Sequence, residues 1–174
     1  GLPGGETLVG IDFRVARGQR SALSDRGRLY RIDTATAALT PVGNGIGTEL
    51  HGNQFGIDFN PTVDRIRVVS DTGQNLRVHP DTGAAVDADP KSPGLQRDGT
   101  LAFAADDPNA GRAPRIVAAA YTYNKENEKI TTNYALDARS ASLVIQGSIE
   151  GAAPVVSPNT GRLVADYGGF LYDS

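Results

Sequence analysis

The sequence predicts an all-β fold, a propeller-like array of about four antiparallel blades, with a β-sandwich as the alternative. Three observations lead there: the chain repeats itself at a spacing of 46 residues, its apolar residues alternate with polar ones, and no long segment carries a helical period. A shift of 46 places Gly10-Ile11-Asp12-Phe13 on Gly56-Ile57-Asp58-Phe59, and Ser24, Asp25 and Gly27 on Ser70, Asp71 and Gly73. Arg31, Thr36 and Ala38 then meet Arg77, Thr82 and Ala84, giving ten identities over the 29 ungapped positions from Gly10 to Ala38. Such agreement marks an internal duplication.

The elements follow in order. Val9, Ile11 and Phe13 alternate with Gly10, Asp12 and Arg14, and Phe55, Ile57 and Phe59 with Gly56, Asp58 and Asn60, so each run is a strand with one apolar face. Ile66 and Val68, then Leu76 and Val78, continue the alternation across a hairpin whose turn is Asp71-Thr72-Gly73-Gln74. Asp81-Thr82-Gly83 and Asn159-Thr160-Gly161 are further tight turns. Tyr30-Arg31-Ile32-Asp33 returns as Tyr134-Ala135-Leu136-Asp137 in a third copy. A fourth copy runs through Pro158 to Leu163 and Gly168-Gly169-Phe170-Leu171-Tyr172. The chain 1–174 therefore reads as one repeat-built β domain, with copies near 8–54, 55–100, 101–147 and 148–174 and about four short strands in each. The last copy is short, so it lacks an outer strand unless the segment Gly1 to Leu8 supplies one; otherwise it leaves an exposed sheet edge. Lys125 to Lys129 is expected at a hydrophilic hairpin tip.

The run Phe55 to Pro61, followed by Asp64-Arg65-Ile66-Arg67-Val68-Val69-Ser70-Asp71-Thr72-Gly73-Gln74-Asn75-Leu76-Arg77, resembles the signature of the bacterial domain of unknown function 4394 family. Leu8 to Phe13, Gly27 to Asp33 and Val117 to Thr122 support the likeness, which covers nearly the whole chain. The resemblance implies a secreted or surface-associated bacterial protein of repeated β-structure and carries no catalytic residues with it.

Composition narrows the chemistry. The chain has 39% hydrophobic and 21% charged residues, an ordinary globular balance. Having no cysteine, it has no disulfide, thiolate zinc site or thiol nucleophile. The net charge of −3, with acidic residues interspersed among the arginines, gives no basic stripe for nucleic acid. No apolar run reaches the length of about 20 residues that spans a bilayer, so no transmembrane segment is expected. The chain begins at Gly1 and lacks methionine, which motivates the expectation of a processed, secreted or periplasmic or cell-surface protein.

No catalytic constellation emerges. His51 and His79 are the only histidines, and both sit beside turns. No cofactor is expected: the carboxylates of Asp87 and Asp89 and of Asp106 and Asp107 read as solvated acidic turns, with calcium the alternative, at a spacing that is not that of a calcium-binding helix-loop-helix. Asp12 and Asp58 lie on the polar side of strands rich in Ile and Phe. They admit two readings: carboxylates near the propeller axis, or acceptors for backbone hydrogen bonds from a neighbouring blade. Asn60, Arg65, Arg67, Asp71, Gln74, Asn75 and Arg77 form the densest polar stretch. It reads as a patch that grips carboxylates, glycans or a partner's backbone, or as an inter-blade network that locks register. The expected function is a non-catalytic extracytoplasmic module binding a small ligand or a protein partner. The alternatives are a structural subunit of an envelope or surface complex, and a metal-assisted hydrolase or lyase using Asp12 and Asp58.

Overall fold

The computed structural model describes residues 1–167. The first sheet is a four-stranded antiparallel meander of β1 (Leu8–Arg14), β2 (Gln19–Ser24), β3 (Leu29–Ile32) and β4 (Leu39–Val42). The second contains β5 (Phe55–Asn60), β6 (Arg65–Ser70) and β7 (Asn75–Val78), and its fourth strand shrinks to a single bridge between Val78 and Ala85. The third joins β9 (Ile116–Tyr121), β10 (Asn133–Asp137), β11 (Ser142–Gln146) and β12 (Arg162–Tyr167) antiparallel. There β8 (Ala102–Phe103) is added to β12 as a parallel edge. The fold is all-β, as the alternation requires, and its three sheets are compatible with a sandwich.

Two expectations are corrected. The described residues form three sheets rather than four and do not close into a barrel or ring. The described part of the fourth copy makes no sheet of its own, because β12 pairs with β11 and completes the third. The Gly168 to Tyr172 portion of that copy lies outside the described residues. The N-terminal segment also goes elsewhere: Tyr30 donates to Glu6, and Asp25 accepts from the Thr7 N–H and hydroxyl, so residues 6 and 7 are fastened to the first sheet.

Period-two patterning leaves sheets with apolar faces, and these meet in two layers. Leu23, Leu29, Val42 and Ile46 pack against Phe59, Ile66, Val68, Leu76 and Val78 between the first and second sheets. Between the second and third lie Val69, Leu101, Phe103, Ile116, Ala135, Val144 and Leu163. The sheets come closest along their first strands, β1 to β5 and β5 to β9, at the duplicated glycine. A Cβ on Gly10 would meet the Ile57 side chain, and one on Gly56 would lie 2.5 Å from the Ala118 carbonyl carbon and the Ala119 nitrogen. At Gly10 the clash is with side-chain atoms of Ile57, which shift more easily than the β9 backbone met at Gly56. Gly56→Ala is therefore expected to cost about 1–3 kcal/mol by overpacking, more than Gly10→Ala, as measured by urea denaturation of both variants.

Candidate functional site

The duplicated aspartates tie one sheet to the next. The Phe59 N–H on β5 donates to Asp12 Oδ2 on β1 at 2.7 Å, and the Tyr121 N–H on β9 donates to Asp58 Oδ2 on β5. Each carboxylate thus satisfies an outward-facing N–H of the neighbouring first strand, the second of the two readings offered by the sequence. The two carboxyl groups also adjoin each other. Burial pushes the Asp58 carboxyl up to about 7, and although the Tyr121 N–H pulls it down, repulsion from Asp12 and their mutual hydrogen bond add to the rise.

A buried guanidinium reinforces the first junction. Arg14, at the end of β1, donates Nε to Asp64 at 2.8 Å and Nη1 to Asp81 at 2.6 Å, while Nη2 reaches both carboxylates. Asp64 and Asp81 lie in the turns after β5 and after β7, so one arginine bolts the first sheet to two loops of the second. The paired carboxylates raise Arg14 further above its ordinary value, and Arg14 holds Asp81 below the usual carboxylate range.

The second junction carries the candidate site. Cross-strand register sets Asp58 beside Arg67 and Arg67 beside Arg77, with Asn60 opposite Arg65 and Val69 opposite Asn75. This face of the second sheet looks toward the third, and only its Val69 end is apolar. Arg67 is 2% exposed. Its Nε donates to the Tyr121 hydroxyl at 3.2 Å, Nη1 to Asn75 at 2.8 Å and Asp98 at 2.6 Å, and Nη2 to Asn159 at 2.6 Å. Arg77 grips the same fully buried Asp98 with Nε and Nη2. Asn75 donates to the carbonyls of Gly99 and Pro158 and accepts from Gln146 Nε2, whose Oε1 accepts from Asn133. The chain thereby connects β6, β7, β10, β11 and the loops holding Asp98 and Asn159.

Above this network opens a cleft of about 330 Å³ walled by Asn60, Arg65, Arg67, Arg77, Tyr121 and Asn159, with Val63, Val86, Ser157 and Pro158. A second lobe of about 290 Å³ shares Asn60, Tyr121, Ser157 and Pro158 and continues past Thr131, Asn133, Gln146 and Ile149. All three nitrogens of Arg67 are engaged. Arg65 spends only Nη1, on the carbonyls of Val63 and Asp64, and Arg77 leaves Nη1 free among the described residues. Three guanidinium groups against Asp98 and the neighbouring Asp58, whose carboxyl burial pushes up, leave this lobe cationic, suited to a carboxylate, phosphate or sulfate group.

Of the residues singled out by sequence, Asn60, Arg65, Arg67 and Arg77 come together in the cleft, and Asn75 lies beneath it. Asn60 also caps its own turn, accepting from the Thr62 N–H and hydroxyl. Asp71 and Gln74 do not join them. At the other end of β6 and β7 they fasten the preceding loop, Asp71 accepting from the Asn53 N–H and Gln74 bridging the His51 N–H and the Glu49 carbonyl. His79 accepts from the Asp81 N–H within its turn, and Asp87 and Asp89 accept from loop N–H groups. Asp107 accepts from the Asn109 N–H and Asp106 is exposed. No group of three acidic or histidine side chains assembles among the described residues.

Sequence reasoning missed Arg14, Asp64, Asp81, Asp98, Tyr121, Asn133, Gln146 and Asn159. For Arg14, Arg65, Arg67 and Asn75 a signal was present in the repeat itself: they stand opposite Asn60, Gln19, Ser21 and Leu29. The polar site is built where the two copies differ.

The sequence pattern described as Domain of unknown function (DUF4394) matches residues 1–169. The chain belongs to this family. Among curated proteins there is no match. In this DUF4394 chain no helix among the described residues is long and apolar enough to cross a membrane.

The raised Asp58 fixes the sign of a pH effect. The folded chain holds a proton that an unfolded aspartate, titrating at about 3.9, releases. Stability from this group is therefore complete below pH of about 4 and is lost as pH rises toward 7. Asp58→Asn keeps an acceptor for Tyr121 and a donor for Asp12. It is expected to raise Tm at pH 8 by about 2–4 °C, or about 1 kcal/mol after discounting for solvent screening, and to leave Tm at pH 4 nearly unchanged. Calorimetry at the two pH values checks this.

Proposed function

We propose that the chain is a non-catalytic binding module outside the cytoplasm, and that it receives an anionic group of a small ligand in the cleft between its second and third sheets. The observation carrying this reading is the imbalance of charge in the first lobe, where Arg65, Arg67 and Arg77 stand against Asp98 and the neighbouring Asp58, and Arg65 and Arg77 keep free N–H groups among the described residues. A guanidinium held in a partly enclosed, preorganised wall loses little freedom on binding. The blade-like succession of sheets, each with its first strand against that of its neighbour, supports a propeller whose described part is an arc rather than a ring. The location outside the cytoplasm is what the family resemblance implies, and cell fractionation of the source organism tests it.

A second reading, assembly into a larger complex, is favoured by one strip. Ile11, Phe13 and Val15 are 59%, 43% and 50% exposed, while Phe59, the repeat partner of Phe13, is 6% exposed against the first sheet. The enzyme alternative draws less support, since Asp12 and Asp58 each spend an oxygen on a backbone N–H.

Arg65 supports only its own turn, so its removal separates binding from folding. Arg65→Ala is expected to leave Tm within about 1 °C of the parent, as is usual for surface changes, while weakening anion binding about tenfold or more. Calorimetric titration with citrate and inorganic phosphate reads this out. Equal affinity in the parent and the variant would remove Arg65 from the site.

A further inference from the structure

We infer that the ligand of this cleft is an acidic sugar of the uronate class, its carboxylate held in the first lobe and a ring hydroxyl donated into the second. The inference rests on the anion-binding reading and adds what the adjoining lobe contributes.

Asn133, in the wall of the second lobe, is 2% exposed, and its Oδ1 has no hydrogen-bond partner among the described residues. Its neighbours fix which end of the amide is orphaned. Gln146 Nε2 donates to Asn75 Oδ1 at 3.0 Å and to the Pro158 carbonyl at 2.7 Å, so Gln146 must present Oε1 to Asn133. Asn133 answers with Nδ2 at 3.1 Å, and its Oδ1 is left without a donor among the described residues. Reversing the amide would set two oxygens against each other. A buried acceptor without a donor costs about 1–3 kcal/mol, so a ligand that supplies one relieves a deficit built into the fold.

A neutral hydroxyl is the donor that fits: Lys129 and Glu150 both line the second lobe and offset each other, so nothing there selects a charged group. Tyr121 lies between the two lobes and lines both, with its hydroxyl held by Arg67 Nε. Its aromatic body offers an apolar surface of the kind on which the C–H face of a sugar ring packs, while its polar tip stays satisfied. An anionic end, hydroxyl donors and an apolar ring face together describe a sugar acid. Inorganic phosphate or a simple carboxylate would satisfy the first lobe alone.

Calorimetric titration of the full chain with galacturonate and glucuronate tests this, with galactose, glucose, acetate and inorganic phosphate as comparators. At least one uronate is expected to bind about tenfold or more tighter than both acetate and its own neutral sugar, and Arg65→Ala should bring it down to the level of that neutral sugar. Asn133→Leu is expected to reduce uronate binding to the level of acetate while inorganic phosphate binding is kept, which also reports that the first lobe remains folded. If that variant fails to fold, the comparison of ligands on the parent protein decides. Acetate or phosphate binding as tightly as both uronates would overturn the sugar-acid assignment and leave the anion site standing. Neutral sugars binding as well as uronates, without any effect of Arg65→Ala, would overturn both, as would the absence of binding by every probe.

Discussion

The close approach of successive first strands is the constraint on which the rest depends. Gly10 and Gly56 remove the side chain that would hold β1 from β5 and β5 from β9, and Asp12 and Asp58 then reach across to the N–H groups of Phe59 and Tyr121. An edge strand brought against another surface carries unpaired backbone donors, and leaving them buried would be costly. The glycine and the aspartate two residues later are one device, used twice. It explains why Gly-Ile-Asp-Phe is the most faithfully duplicated segment of the chain.

Once the first strands are spaced, the remaining width of each junction is filled differently. Between the first and second sheets the filling is apolar, with Arg14 closing one end on Asp64 and Asp81. Between the second and third it is apolar only at the Val69 end, and elsewhere Arg67, Asp98, Asn75, Gln146 and Asn133 take its place. A buried ion pair contributes less net stability than an apolar core of the same volume, because desolvation offsets the Coulomb attraction. Its effect here is directional. Arg67 has one orientation that satisfies four partners, so it fixes the register of two sheets and two loops and holds Tyr121 at the mouth of the cleft.

The site is legible in the sequence only in part, for reasons of range. Arg65, Arg67 and Arg77 stand out because strand alternation sets them on one face of a hairpin, a local rule. Asp71 and Gln74 belong to the same polar stretch and stand apart because they fall at the turn end, where loop capping claims them. Asp98 lies 31 residues from Arg67, in a segment with no period, and Asn159 lies 92 residues away. No local pattern distinguishes them from other loop residues. Divergence between copies was the readable clue, since a strand position that is Leu29 in one copy and Asn75 in the other has changed from filling a core to serving a network.

The sequence by itself determined the all-β class, the duplicated unit, the alternating faces, the glycine turns and the pairing of Asp12 with Asp58 as equivalent residues, because each is a short-range consequence of backbone geometry. Only the tertiary structure decided how those units are shared among sheets. β12, read from the sequence as part of a fourth copy, completes the third sheet by pairing with β11. The tertiary structure likewise decided that the divergent face of the second copy is the one turned toward the third sheet. A strand's own residues specify which faces it has. What covers each face is set by hydrogen bonds and packing between segments far apart in the chain, and there the cleft is made.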